Sequence, residues 1–172
     1  MSRRRGGSRV AATERPPVLG VDVGRVISDD DTDTGVSMLS DRWKDTAFVA
    51  GCLEAVQRLN ASGRFEGHVR ILSKCGPKVQ ERTTTWLHLQ DFFGTTGILE
   101  EHVYFVRDKA DKAALCADLH VTHFVDDRLG NLALMTTVNR RYLFQPFEPP
   151  QVPPWVVHVR SWRALEPRLS WD

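Results

Sequence analysis

Asp22 closes an apolar run, Val18-Leu-Gly-Val21, and Asp126 and Asp127 close a second, His123-Phe-Val125. Placed on neighbouring strands of a parallel sheet, the two runs bring three carboxylates to one carboxyl edge. Their mutual repulsion is costly there unless a cation or a shared proton compensates. Ser73 follows a third apolar run, Ile71-Leu72, and contributes a hydroxyl, while Lys109 and Lys112 offer an ammonium shortly before the second acidic strand.

Such groups converge only if the chain alternates strands and helices, and its pattern does. Short β-rich runs occur at Val18 to Asp22, His68 to Leu72, His102 to Val106, Thr122 to Val125, Arg141 to Phe144 and Trp155 to Val159. Between them, Phe48, Cys52, Val56 and Leu59 share one face of a helix expected from Asp45 to Asn60. Pro77 reads as the first residue of a second helix carrying Val79, Trp86 and Leu87. A third helix runs from Lys109 or Lys112 to Leu119, and Leu129, Leu132 and Met135 mark a fourth. The alternation predicts an α/β fold: a three-layer, Rossmann-like domain with a central parallel sheet covered on both faces. Ligands of such sheets bind beyond the carboxyl ends of the strands, where Asp22, Ser73 and Asp126 would lie.

Composition bounds the rest. The chain has 172 residues, 41% of them hydrophobic and 26% charged, which suits one globular unit with a sizeable core. A formal net charge of +1 gives no field that would argue for nucleic acid or a membrane surface as partner. Cys52, Cys75 and Cys116 are well separated and form no CxxC pair, so neither a disulfide framework nor a zinc site is indicated, and a reducing cytoplasm is the expected location. No apolar stretch approaches the ~20 residues that a membrane helix needs. Residues 1–17 read as a disordered basic tail carrying Arg3, Arg4, Arg5 and Arg9, and 18–172 as a single domain. The proline-rich stretch Gln145 to Pro154 reads as an extended connection to a last strand.

With these residues placed, the chain resembles the haloacid dehalogenase superfamily, mostly magnesium-dependent phosphohydrolases. Leu19-Gly-Val-Asp-Val-Gly-Arg-Val-Ile27 is similar to its first motif, Ile71-Leu-Ser73 to its second, Lys112 (or Lys109) to its third and Phe124-Val-Asp-Asp-Arg128 to its fourth, in family order. The resemblance implies strand order 5-4-1-2-3, Asp22 as the nucleophile that forms an aspartyl-phosphate, and Ser73 and Lys112 as the groups holding the phosphate. It also implies Mg2+ held by the Asp22 carboxylate, the Gly24 carbonyl and Asp126, with Asp127 and Lys109 in support. A carboxylate attacks phosphorus only when the phosphate charge is offset, and a hard dication with oxygen ligands does this. Ser73, Lys74, Arg25 and the free N–H groups of the helix opened by Pro77 are the expected binders of a phosphorylated substrate.

One position departs from that pattern. The superfamily's phosphatases carry a second aspartate two residues after the nucleophile, as general acid and base, and here that residue is Gly24. Arg25 is no substitute, because a guanidinium stays protonated. The expectation is therefore a phosphatase or phosphoryl-transfer enzyme with weakened turnover, and the alternative a catalytically inactive domain that binds or regulates. About 20 residues between Asp22 and the first long helix leave room for a hairpin but not a cap domain. The open site would admit small or macromolecular substrates, or be closed by a second copy of the chain.

Other features have plainer readings. Asp29, Asp30, Asp31 and Asp33 resemble a calcium loop, but Thr34 and Ser40 occupy the positions where such a loop needs Gly and an acid, so a solvated lid loop is expected. His120 and His123 are expected to be separated by a helix-to-strand turn rather than to share a metal, and Cys75 to be a spectator thiol. Trp155, Trp162 and Trp171 are expected to cover the last edge of the sheet.

Overall fold

The apolar runs become six parallel strands. The computed structural model describes residues 15–31 and 33–171, without the side chains of residues 170 and 171. Most of the predicted basic tail therefore lies outside the described residues, as does the side chain of Trp171.

The strands of the main sheet are β1 (Leu19–Val21), β4 (Val69–Lys74), β5 (Val103–Val106), β6 (His123–Asp126), β7 (Arg140–Phe144) and β8 (Val157–Val159), in the order β5-β4-β1-β6-β7-β8. The first five runs expected from sequence stand in the implied order, and β8 extends the sheet beyond β7. A two-stranded antiparallel hairpin, β2 (Ser28–Asp29) with β3 (Ala47–Phe48), stands apart from the sheet. Helices α1 (Cys52–Ala61), α2 (Pro77–Leu89), α3 (Phe92–Thr96) and α6 (Trp162–Trp171) pack with one face, and α4 (Lys109–Asp118) and α5 (Leu129–Leu134) with the other.

Strand alternation explains the two cores. Leu19, Val21, Val69, Ile71 and Val125 join the cluster with α1, α2, α3 and α6, whereas Leu72, Phe124 and Leu143 join Cys116 and Leu132 on the other face. Gly20 is required by the second cluster, since a β-carbon there would come within 2.4 Å of the Phe124 ring.

One expectation is corrected. Phe48 does not belong to the first long helix. Gly51, at φ +76°, caps that helix in a conformation that favours glycine, so the helix begins at Cys52, and Phe48 lies in β3 with its ring 4.6 Å from that of Trp86. β8 is the last strand, as expected, and the chain after it forms α6. There the fully buried Trp162 covers the sheet and donates its Nε1 hydrogen bond to the Val26 carbonyl at 2.7 Å. Arg58 on α1 meets Glu166 on α6 through two hydrogen bonds of 2.7 and 2.8 Å, which fastens this helix to its neighbour.

Candidate active site

Register brings the acids together. Val21 pairs with Val125 on one side and with Ile71 on the other, so Asp22 and Asp126 leave adjacent strands at the same level, and the Asp22 amide donates to the Val125 carbonyl at 3.0 Å. Because Leu19 and Val21 face the first core, alternation turns Asp22 toward the opposite face, where α4 lies. Carboxylate oxygens of Asp22, Asp126 and Asp127 fall within 4.8 Å of one another.

Lys112 arrives from α4. Asp108 caps this helix by accepting from the Asp111 amide at 2.8 Å, which fixes where the helix starts and puts Lys112, with Cys116 one turn on, on its buried face. Its ammonium donates to Asp22 Oδ1 at 2.6 Å and to Asp126 Oδ2 at 2.7 Å, and lies 5.1 Å over the Phe124 ring. Of the two lysines open at the sequence level, Lys112 is the one inside. Lys109 is exposed at the first residue of α4, beside a separate depression.

Asp126 is held at both oxygens. Besides Lys112, Asn131 donates to both its oxygens at 3.1 Å and the Arg128 amide to Oδ1 at 2.9 Å. Asn131 was not singled out by sequence reasoning. The available signal was its position five residues after Asp126, near the start of a helix read only for its apolar spacing.

One ammonium does not neutralise three carboxylates. Burial, together with repulsion from Asp126 and Asp127 and against the pull of Lys112, pushes Asp22 up to about 7. Burial and Asp126 push Asp127 up to about 6, against Arg128, Arg25 and Lys112. Burial works against the Lys112 charge, but Asp22 and Asp126 outweigh it and hold this group above ordinary lysine. A cluster of hard oxygens with surplus negative charge and protons held close to neutrality fits a divalent cation.

Above this floor lies a cavity of about 220 Å³ lined by Asp22, Gly24, Arg25, Asp30, Ser73, Lys74 and Asp127, among others. Ser73 is buried and Lys74 exposed. Both still belong to β4, which runs past the Leu72 end expected from sequence. Arg25 is exposed, at φ 61° in a turn where the amides of Val26, Ile27 and Ser28 all bond to the Val23 carbonyl. Pro77 opens α2 as expected, no side chain caps that helix, and Gly76 and Val79 at its start border the cavity, leaving N–H groups of the first turn for an anion.

The remaining candidates separate from the site. His123 lies within β6 against Phe65 and Tyr142, whereas His120 is exposed at φ 54° and accepts from Arg15 at 2.7 Å. Burial raises the Cys75 thiol despite a hydrogen bond with Ser73, so it stays neutral beside the cavity. In the acidic loop Asp31 accepts from the Asp33 amide and from both the amide and hydroxyl of Thr34, a local turn that needs no ion. Trp155 stacks under the Arg141 guanidinium at 4.4 Å.

No family model matches this chain, and neither does any curated protein. Among solved structures it is similar to a Class C acid phosphatase from Bacillus anthracis with tungstate bound, at 17% sequence identity and a TM-score of 0.46, over 70% of this chain and 55% of that one. The chain thus spans about half the length of that phosphatase.

Proposed function

We propose that this chain is a phosphatase or phosphoryl-transfer hydrolase of the haloacid dehalogenase type, working through an aspartyl-phosphate on Asp22. The observation that carries this reading is the convergence of Asp22, Asp126 and Lys112 beneath a cavity that also receives Ser73 and an uncapped helix start. Asp22, Asp126 and the Gly24 carbonyl would hold Mg2+, with Asp127 beside them. A bound dication supplies charge neutralisation and alignment of the phosphate with its attacker.

The chain's own groups do the rest. The Asp22 carboxylate attacks phosphorus while Lys112, 2.6 Å away, fixes its direction and offsets its charge. Ser73, Lys74, Arg25 and the first-turn amides of α2 bind the phosphoryl oxygens, and Asn131 keeps Asp126 in place. Among the described residues, the β2–β3 hairpin, a 3-10 turn at Trp43–Asp45 and short loops lie between β1 and α1, which supports an open site without a large cap that would admit bulky phosphorylated substrates or closure by a second copy. The free thiols of Cys52, Cys75 and Cys116 suit a reducing compartment such as the cytoplasm. No helix among the described residues is long and apolar enough to cross a membrane.

Gly24, standing where the resemblance implies an acid, favours a second reading in which the pocket binds phosphate without turnover. The test is hydrolysis of p-nitrophenyl phosphate with magnesium, by the natural chain and by Asp22→Asn. Turnover that vanishes in the variant and on chelation is the expected result. Turnover that survives the substitution overturns the nucleophile, and magnesium-dependent phosphate binding without turnover establishes the second reading.

A further inference from the structure

Removing the side chain at position 24 leaves space, and a different carboxylate borders it. A β-carbon built on Gly24 would lie 3.6 Å from Oδ2 of Asp30, in ordinary van der Waals contact and with nothing else within 4 Å. The chain reaches Asp30 through the tight turn from Val23 to Ser28 and a bridge between Gly24 and Ser28, so the six-residue detour returns to the place it left. Asp30 lines the same cavity as Asp22 and Ser73.

Its other oxygen is occupied. Oδ1 accepts from the Met38 amide at 3.4 Å, and Arg82 on α2 holds the Met38 and Ser40 carbonyls at 3.1 and 3.0 Å, so the loop behind Asp30 is braced. Oδ2 accepts no hydrogen bond among the described residues and faces the space beside Gly24. Burial, with Asp29 adding to it, raises Asp30 above the ordinary carboxylate range against the Met38 amide and Arg25.

We propose that Asp30 is the general acid and base of this site, its carboxyl doing from the lid loop what an aspartate at position 24 would do from the strand end. The inference rests on the phosphoryl-transfer reading above. As Asp22 attacks, the bond from phosphorus to the leaving oxygen breaks, its electron pair goes to that oxygen, and the Asp30 carboxyl gives the oxygen its proton. Water then attacks phosphorus and gives a proton to the Asp30 carboxylate, while the bond to Asp22 breaks and its electrons return to the carboxylate. Phosphate leaves and both acids are restored.

The discriminating measurement varies the leaving group. In Asp30→Asn, steady-state turnover of glycerol 2-phosphate, whose alkoxide needs a proton, is expected to fall about 10²-fold. With p-nitrophenyl phosphate, whose phenolate leaves unaided, the variant is expected to release about one p-nitrophenol per chain in a burst and then slow, because only the water step lacks its base. Adding Gly24→Asp to Asp30→Asn is expected to recover at least about tenfold of the loss, by returning a carboxyl to the same space. Equal losses on both substrates without a burst, an unchanged rate, or no recovery in a double variant folded by circular dichroism would each overturn the role of Asp30. Absence of Asp22-dependent turnover in the natural chain removes the phosphoryl-transfer reading itself, and this one with it.

Discussion

The site has an inner and an outer half, built on different principles. Asp22, Lys112 and Asp126 hang from the ends of two paired strands and one helix, and are 7%, 0% and 0% exposed, bonded to one another and, at Asp126, to the buried Asn131. Gly24, Arg25 and Asp30 belong to a turn and a loop, are half-buried or exposed, and are held by backbone carbonyls and a few long side chains. A carboxylate that must meet phosphorus at one angle gains from a rigid mount, whereas groups that meet varied leaving groups need room. The inner half is therefore where substitution should cost the most stability, and the outer half where it should cost little and act on turnover.

The largest effect tests the inner half. Lys112→Met leaves two buried carboxylates without their ammonium and should destabilise the protein by about 3 kcal/mol or more in denaturant unfolding. Lys109→Met, on the exposed start of the same helix, should leave the unfolding midpoint where it was. Similar losses from both would erase the distinction between the halves.

Next comes Asn131→Ala, which removes a donor to both Asp126 oxygens. It should cost about 2 kcal/mol, as hydrogen bonds to charged groups do, and weaken magnesium binding at least about tenfold by calorimetry. Unchanged binding would show that Asp126 needs no orienting neighbour.

A third test uses pH. Burial and mutual repulsion put Asp22 at about 7 and Asp127 at about 6, so the folded chain keeps protons that the unfolded chain has already lost. The stability these two groups lend is complete below the ordinary carboxylate range and fades as pH rises past about 6 and 7. In the proposed site magnesium would replace those protons, so its increment to the thermal midpoint over chelator-treated protein should be larger at about pH 8 than at about pH 5. Equal increments would mean that the ion does not touch these carboxylates.

The smallest effect belongs to the outer half. Arg82→Ala frees the Met38 and Ser40 carbonyls and should lower stability by about 1 kcal/mol, yet speed limited proteolysis within residues 30–42. Unaltered cleavage would show that the loop is braced elsewhere.

The two halves were also unequally legible in the sequence. Asp22 and Asp126 could be placed because an acid that ends an apolar run marks a strand end, and parallel strands bring their ends to one edge. Lys112 and Lys109 remained alternatives, since the choice depends on which face of α4 is buried, and the cap at Asp108 settles that. Phe48 was read into a helix because it repeats at four residues before Cys52, a spacing that cannot reveal the turn at Gly51. Asp30 read as loop solvation, because its approach to Gly24 depends on a bridge between two residues of a turn, which has no periodicity. Backbone geometry of that kind leaves no trace in residue spacing.

The indole of Trp162 reaches across the molecule to the Val26 carbonyl, in the turn that follows Asp22. The last helix is thereby tied to the turn beside the proposed catalytic edge, and would act on it as a remote lever. A ligand or fused sequence that pries α6 away from α1 would loosen the turn from behind and slow the proposed phosphoryl transfer without ever entering the cleft.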